Sequence, residues 1–399
     1  MKKLMILGGL RYALPVIKAA HEMGVYVITC DYLPDNIAHR YSDEYCNVSI
    51  VDKEAVLEKA RELNIDGITS FACDPGVVTA AYVAEKMGLP SVGSYESVCI
   101  LQNKGRFRKF MAENGFQVPN SKSYRKVKEA LEEVDYFHWP VIVKPVDSAG
   151  SKGVTKVTEK EQLAKAIAYA LEYSISKEFI IEDYLEKKGC SSDTDAFSVD
   201  GKMRFISFNA QLFDTEALNP HTPAGFYWKA TISQAHQEEL RKEIQRMVTL
   251  LGLKSSLYNI EARECTDGKA YIMELSPRGG GNRLSECLEM ATGVKLIENM
   301  IRAAIGMDII DIDEKPYQGN WAEAILHSDE SGRFKSVTVS PEIEKYVVEK
   351  DIWVKEGDMV EGFSGASNTI GTIIFKFEDA SFMETVMQDI RKYVKVNVK

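Results

Sequence analysis

Over the first quarter of the chain, short apolar runs alternate with segments whose apolar residues recur at helical spacing. KLMILGG, VYVITCDY and IDGITSFA read as buried strands, and LPSVG as a shorter one; YALPVIKAAHEMG, KEAVLEKARELN and PGVVTAAYVAEKMG read as helices. Strands and helices in that order predict a parallel sheet covered on both faces. Gly8-Gly9 and Asp74-Pro75-Gly76 fall where a strand meets a helix, where backbone N–H groups can hold an anion. No GxGxxG follows, so ordinary turns explain them equally well. The stretch ESVCILQNKGRFRKFMAENG reads as one helix with Lys104, Arg106, Arg108 and Lys109 on a solvated face. Residues 121–190 hold two strands, PVIVKPV and EFIIEDYL, around the helix EKEQLAKAIAYALEYS. Residues 191–315 hold a hairpin, a polar aromatic loop NPHTPAGFYWK, a helix, a second hairpin and a further helix. Residues 320–399 read as strands followed by the helix SFMETVMQDIRKYV.

The second hairpin carries the first chemical signal. Its arms are SLYNIEAREC and AYIMELS, and Asp267-Gly268 between them suits the centre of a two-residue type I′ turn. Residues whose numbers sum to 535 then lie opposite one another, which pairs Glu261 with Glu274. Like charges directly opposite destabilise a sheet, so a partner is required. A divalent cation supplies one, since Mg²⁺ prefers oxygen ligands and often takes one or two carboxylates plus phosphates; neutralisation by Arg263 supplies another. Strict alternation puts Ile260, Ala262, Met273 and Leu275 on the opposite, core-like face, and Asn259, Arg263 and Ser276 with the acids.

PVIVKPVDSAGSKGV shifts the balance towards a ligand. Lys144 ends an apolar strand, and a loop of small residues follows from Ser148 through Ala149, Gly150, Ser151 and Lys152 to Gly153. Backbone N–H groups of such a loop can wrap phosphate oxygens, though it is not a P-loop. Glu182 ends the next apolar strand.

Composition narrows the classes. A chain of 399 residues exceeds one hydrophobic core and calls for two to four domains. A net charge of −10 and a pI near 5.4 argue against a nucleic-acid or membrane-surface binder, and leave a small anionic ligand open. Cysteines 30, 46, 73, 99, 190, 265 and 287 are odd in number and form no CxxC, which fits reduced thiols and a cytoplasmic protein. The opening MKKLMILGGL has too short an apolar run for a secretory signal, and no run is long enough to span a membrane.

Taken in order, NKGRFRKFM, PVIVKPVDSAGSKGV, EFIIEDYLE, YNIEAREC and YIMELSPRGGGN resemble the ATP-grasp superfamily, nearest to its carboxylate–amine ligases and to biotin carboxylase. The likeness covers roughly residues 1–310. It implies an α/β and α+β multidomain fold: a parallel α/β domain preceding the ATP-grasp part (1–95), a two-part ATP-grasp domain (96–315, its lid about 121–190) and a small C-terminal α+β domain (316–399). It further implies ATP bound by Lys104 and Lys144, with the loop bearing Ser148, Gly150, Ser151 and Gly153 closing over the phosphates. Glu182 and the Tyr184–Leu185 backbone would meet adenine, with Met273 packed on the ring. Glu261 and Glu274 would hold Mg²⁺, with Mn²⁺ as an alternative ion, and Arg278 and Lys144 would serve the chemistry. Two positions depart from the pattern. Ser276 stands where the family usually places a metal-binding asparagine, and the acid that usually contacts ribose is missing, Asp193 being its nearest substitute.

The reaction implied is activation of a small carboxylate as an acyl phosphate, attack by an amine, and release of ADP and phosphate. Partners would be small molecules, with no nucleic acid or membrane; a homodimer is compatible. A carboxylase-like enzyme that activates bicarbonate shares all of these motifs, and an ATP-binding regulator without turnover is the reading outside enzymes.

Overall fold

The computed structural model describes residues 1–148 and 150–399. Its first layer is a parallel sheet of β1 (Lys3–Leu7), β2 (Tyr26–Cys30), β3 (Glu44–Cys46) and β4 (Gly67–Ser70), in the order β3-β2-β1-β4. The alternation of strands and helices accounts for it, with two differences. β3 is too short to announce itself, and LPSVG forms no strand. One face of the sheet, through Met5, Leu7 and Ile28, packs on the helices Lys53–Leu63 and Asp74–Met87. The other face, through Leu4, Ile6 and Val27, joins a core that runs on to Phe197, Phe226, Trp321 and Ile374 far along the chain.

The cationic stretch after residue 95 is two helices, Tyr95–Gln102 and Lys104–Glu113, not one. Asn103 divides them: it is extended (φ −117°, ψ 111°), and its Oδ1 accepts from Arg106 N at 2.9 Å, an N-cap that starts the second helix. Lys104 is therefore the first residue of a helix, and its N–H donates to Val146 O.

An antiparallel sheet follows, of β5 (Ser121–Tyr124), β6 (Val141–Pro145), β7 (Thr155–Val157) and β8 (Phe179–Asp183), in the order β5-β8-β6-β7. With the helix Leu163–Tyr173 it encloses its own core, including Tyr124, Val143, Ile167 and Phe179, so this segment holds together by itself. A second antiparallel sheet is built from β9 (Ser192–Val199), β10 (Lys202–Ile206), β13 (Ser256–Glu264) and β14 (Ala270–Ser276). The helix Gln234–Leu250 covers one of its faces through Leu240, Ile244, Met247 and Val248.

Between β10 and β13 in sequence lie β11 (Ala210–Phe213) and β12 (Pro223–Tyr227), and β12 replaces part of the expected aromatic loop with a strand. They do not stay with their neighbours. The third antiparallel sheet has the order β11-β12-β15-β19-β17, adding β15 (Asn320–Leu326), β17 (Val347–Ile352) and β19 (Gly371–Phe377) across the boundary drawn at 315/316. A small sheet of β16 (Gly332–Val339), β18 (Met359–Val360) and β20 (Val394–Val398) closes the C-terminal region, which ends in a strand after its helices. No helix among the described residues is long and apolar enough to cross a membrane.

The turn after β14 holds these layers together. Ala72 N donates to Gly279 O, and a Cβ on Gly279 would run into the Phe71 ring and Leu257. Gly279→Ala is therefore expected to cost about 1–3 kcal/mol, as for other overpacked sites, read as a lower denaturation midpoint with unchanged slope.

Candidate active site

The hairpin β13–β14 sets the geometry. Its loop is not the two-residue turn expected. Cys265 N donates to Lys269 O and Glu264 pairs with Ala270, which leaves three residues at the tip with Gly268 at φ +79°. That register would have missed Glu274 by one. A bulge between Glu261 and Ala262 makes up the difference: Ala262 pairs with Ile272, Glu261 with Glu274, and Met273 is the extra residue. The acids do face each other, but strict alternation fails at the bulge. Ile272 takes the core position beside Ile260, Ala262 and Leu275, while Met273 turns to the opposite face and packs with Cys265, Tyr271 and Leu185.

The same register continues into β9, where Glu261 pairs with Asp193. Three carboxylates thus form a row across three strands: Asp193, Glu261, Glu274. The structure brings Asp193 into this row, away from the Tyr184–Leu185 hinge. Each end of the row is treated differently. Lys104 Nζ lies 2.7 Å from Glu274 Oε1, and although partial burial works against ionisation, the ammonium holds this carboxyl below its usual range. Arg263 pairs with Glu261 at 2.7 Å. Among the described residues the Asp193 carboxylate has only amide donors, Asn259 Nδ2 at 2.8 Å and Gln211 Nε2 at 3.1 Å. Burial, reinforced by the Glu261 charge, pushes its pKa up to about 7. The protein's own cations therefore offset much of the repulsion, including through Arg263.

Across the cleft, Lys144 Nζ sits 2.7 Å from Glu182 Oε2, and Arg108 Nε 2.8 Å from Glu182 Oε1. Arg108 also donates to Met273 O at 2.9 Å, tying the cation floor to the bulge. Arg108 is 3% exposed, so the solvated-face reading is wrong for it. The signal available was its spacing: Phe107, Arg108 and Met111 share the buried side of one helix. Both oxygens of Glu182 are occupied, which makes it the base of an ion-pair network. Burial favours the neutral acid, but Arg108 and Lys144 together hold Glu182 at about 2. Burial, only partly countered by Glu182, brings Lys144 below the usual lysine range.

Lys104 joins the two sides. Besides Glu274 it reaches Ser148 O at 3.1 Å, at the start of the glycine loop. Gly150, Ser151 and Gly153 all have φ between +58° and +74°, which small residues tolerate. Ser151 Oγ donates to His221 O at 3.1 Å, so the loop touches the segment between β11 and β12. Ala149 lies outside the described residues. At the hinge, Tyr184 N donates to Pro140 O, while Leu185 N–H has no partner among the described residues and lies beside Met273.

Arg278 holds the far end. Its partner is Asp74, not Glu286, which pairs with Arg283 instead. Arg278 makes two bonds of 2.8 Å to the Asp74 carboxylate and one of 3.0 Å to Asn259 Oδ1. Ser276 Oγ donates to Asp74 at 2.9 Å and accepts from Gln102, so its hydroxyl is already engaged. One row along from the acids, Asp195 accepts from Gly280 N at 2.8 Å and from the Ser285 hydroxyl, which fixes the glycine turn to the sheet. Asp195 carried no motif of its own, and Asp74 read only as part of a strand-to-helix turn; the tertiary fold brings both here.

Glu182 contributes stability above its unfolded pKa near 4.5, and that contribution is lost as pH falls towards 2. The wild type should lose on the order of 3 kcal/mol from this group across that window. In Glu182→Gln the acid-dependent slope between pH 4.5 and 2 should be shallower, in urea titrations at fixed pH.

Residues 137–286 match the model of the ATP-grasp domain. The large chain of carbamoyl phosphate synthase from Pseudothermotoga lettingae is 25% identical over 290 residues, 72% of this chain and 26% of that protein. The N-terminal section of the corresponding chain from Methanopyrus kandleri is 24% identical over 313 residues, 75% of this chain and 54% of that protein. The chain spans about a quarter of the full-length large chains it matches. Two solved structures superpose along its whole length: phosphoribosylglycinamide synthetase from Anaerococcus prevotii (TM-score 0.77, 22% identity, 100% of both chains) and L-amino acid ligase from Bacillus licheniformis (TM-score 0.84, 17% identity, 100% of this chain and 99% of that one). The matched segment contains the glycine loop, Lys144, Glu182, the acid row and Arg278, and this chain accordingly carries an ATP-grasp domain.

Proposed function

We propose that the protein is an ATP-dependent carboxylate–amine ligase. The observation that carries this reading is Lys104, a single ammonium within reach of both the glycine loop (Ser148 O) and the end of the acid row (Glu274). A phosphate tail placed there would meet backbone donors from one side and acids fit to hold its counter-ion from the other. The relatives support the class: each named above is a synthetase, synthase or ligase.

The resemblance implies the roles, and the geometry supports them. Lys144, buried and below its usual pKa range, and Lys104 would bind phosphate oxygens, Lys104 exchanging Glu274 for them. Leu185 N–H would donate to the purine edge, with Met273 against the ring and Glu182 setting the positions of Lys144 and Arg108. Glu261 and Glu274, with Asp193 completing the row, would hold Mg²⁺; Ser276, already bonded at its hydroxyl, would serve less directly. Bound there, Mg²⁺ would neutralise charge on the phosphates. Arg278, with a fixed fork and a permanent charge, would hold the reacting carboxylate and its acyl phosphate beside the Gly279–Gly281 turn. An amine then attacks the acyl carbon, and phosphate leaves. The sheet β5-β8-β6-β7 acts as a lid in this reading, because it has its own core and bears the loop.

A phosphate-release screen tests the proposal, with the twenty amino acids and bicarbonate as carboxylates, each with and without an amine. Amine-dependent release supports it; release with bicarbonate alone would favour the carboxylase reading. Glu274→Gln should abolish release from the active pair while retaining the fold. Lys144→Ala should weaken ATP binding about ten- to a hundred-fold, as for loss of a charge-assisted hydrogen bond, read by calorimetry.

A further inference from the structure

Beyond Arg278 the chain enters a second polar cluster that the phosphate chemistry does not use. Asn282 and Arg283 both take left-handed backbone conformations (φ +52° and +60°), which turns Arg283 away from the acid row and towards the C-terminal sheet. There it pairs with Glu286 and Glu349, each at 2.9 Å. The sheet supplies more acid. Glu323 on β15 and Glu349 on β17 both pair with Ile374 of β19, one from each side, and Asp351 lies two residues on from Glu349. Four carboxyl groups therefore meet at this junction.

Two aromatic rings close it. Tyr12, from the loop after β1, donates its hydroxyl to Asn282 Oδ1 at 3.0 Å and meets the Trp353 ring edge-on at 5.8 Å. Trp353 Nε1 donates to Asp351 at 2.7 Å, and the Arg11 guanidinium lies 5.4 Å from the indole centre. That ring already accepts a cation on its face.

Glu323 is the second and independent observation. It is fully buried (0% exposed) among Tyr12, Cys287 and Arg283, and its Oε1 has no hydrogen-bond partner among the described residues. A buried carboxyl oxygen left unpaired costs free energy that a bound donor would recover. Burial pushes the pKa of this carboxyl up, and the oxygen is an acceptor at the base of the cluster. The protein places two guanidinium groups here against four carboxyl groups, so an acceptor surplus is built in.

The junction also has the right address. Gly281 follows the Arg278 turn, and a Cβ there would meet Tyr12 and Ala72 only in ordinary contact at 4.0 Å. Resting on the ligase reading, we infer that this junction is the acceptor subsite and that the acceptor arrives as a positively charged amine. One ammonium lies against Glu349 and Asp351, and the Trp353 and Tyr12 rings flank the hydrocarbon that leads from it to the attacking amine.

Calorimetry on the full chain with Mg²⁺ and ADP tests this, using 1,5-diaminopentane and its dianionic counterpart glutarate as probes. The diamine should bind and glutarate should not. Glu349→Gln and Asp351→Asn should each weaken the diamine by about tenfold or more; ADP affinity verifies that each variant is folded. Glutarate binding as tightly as the diamine, or two folded variants with undiminished diamine affinity, overturns the inference. Hydroxamate formation from a carboxylate, ATP and hydroxylamine by the wild type tests the ligase reading separately. Hydroxamate without diamine binding overturns the subsite and leaves the ligase; diamine binding without hydroxamate does the reverse.

Discussion

Repulsion among Asp193, Glu261 and Glu274 is the constraint around which the site is arranged. Three carboxylates in one row of a sheet are unfavourable unless the surroundings compensate, and the compensation recruits several parts of the chain. Lys104 comes from a helix start, Arg263 and Asn259 from the same strand as Glu261, and Gln211 from β11. Removing these partners would leave an arrangement that water alone could relieve. Held as it is, the row presents acid oxygens to one cleft with the cations that would share them already in place.

The second constraint is the ion-pair base on the opposite wall. Glu182 is shared by Lys144 and Arg108, and Arg108 reaches over to the carbonyl of Met273. The bulge that restores the acid register is therefore fastened to the network that positions Lys144. Breaking a buried pair by removing one partner typically costs 3–5 kcal/mol, because a charge is left uncompensated. The two walls are coupled through a backbone irregularity one residue long.

Much of this was legible from residue order. The alternating first domain, the lysine strand and the glycine loop all follow from local periodicity and turn chemistry, which depend on neighbours in sequence. What was not legible depends on distant neighbours. Glu261 meets Glu274 only because a three-residue tip and a bulge offset one another, and neither is visible in an alternation of apolar and polar residues. Met273 changed faces for the same reason. Arg108 read as surface because its partner is 74 residues away, and Asp74 had no meaning until Arg278 closed on it. β12 read as loop because its partner β15 lies about a hundred residues further on.

That last pairing has a consequence for how such a chain can be divided. β12 pairs with β15 through Gly225, Phe226 and Tyr227, so the C-terminal region is stitched into the middle of the sequence and not simply appended. A fragment ending before β15 would expose a strand edge rich in aromatic residues, a template for pairing with other copies. Its folding, too, must wait for the last quarter of the chain before that edge is covered, which lengthens the interval in which a partly made molecule can associate wrongly. Recombination in evolution meets the same obstacle: the smallest portable unit is the whole assembly, including the residues that follow the segment 137–286.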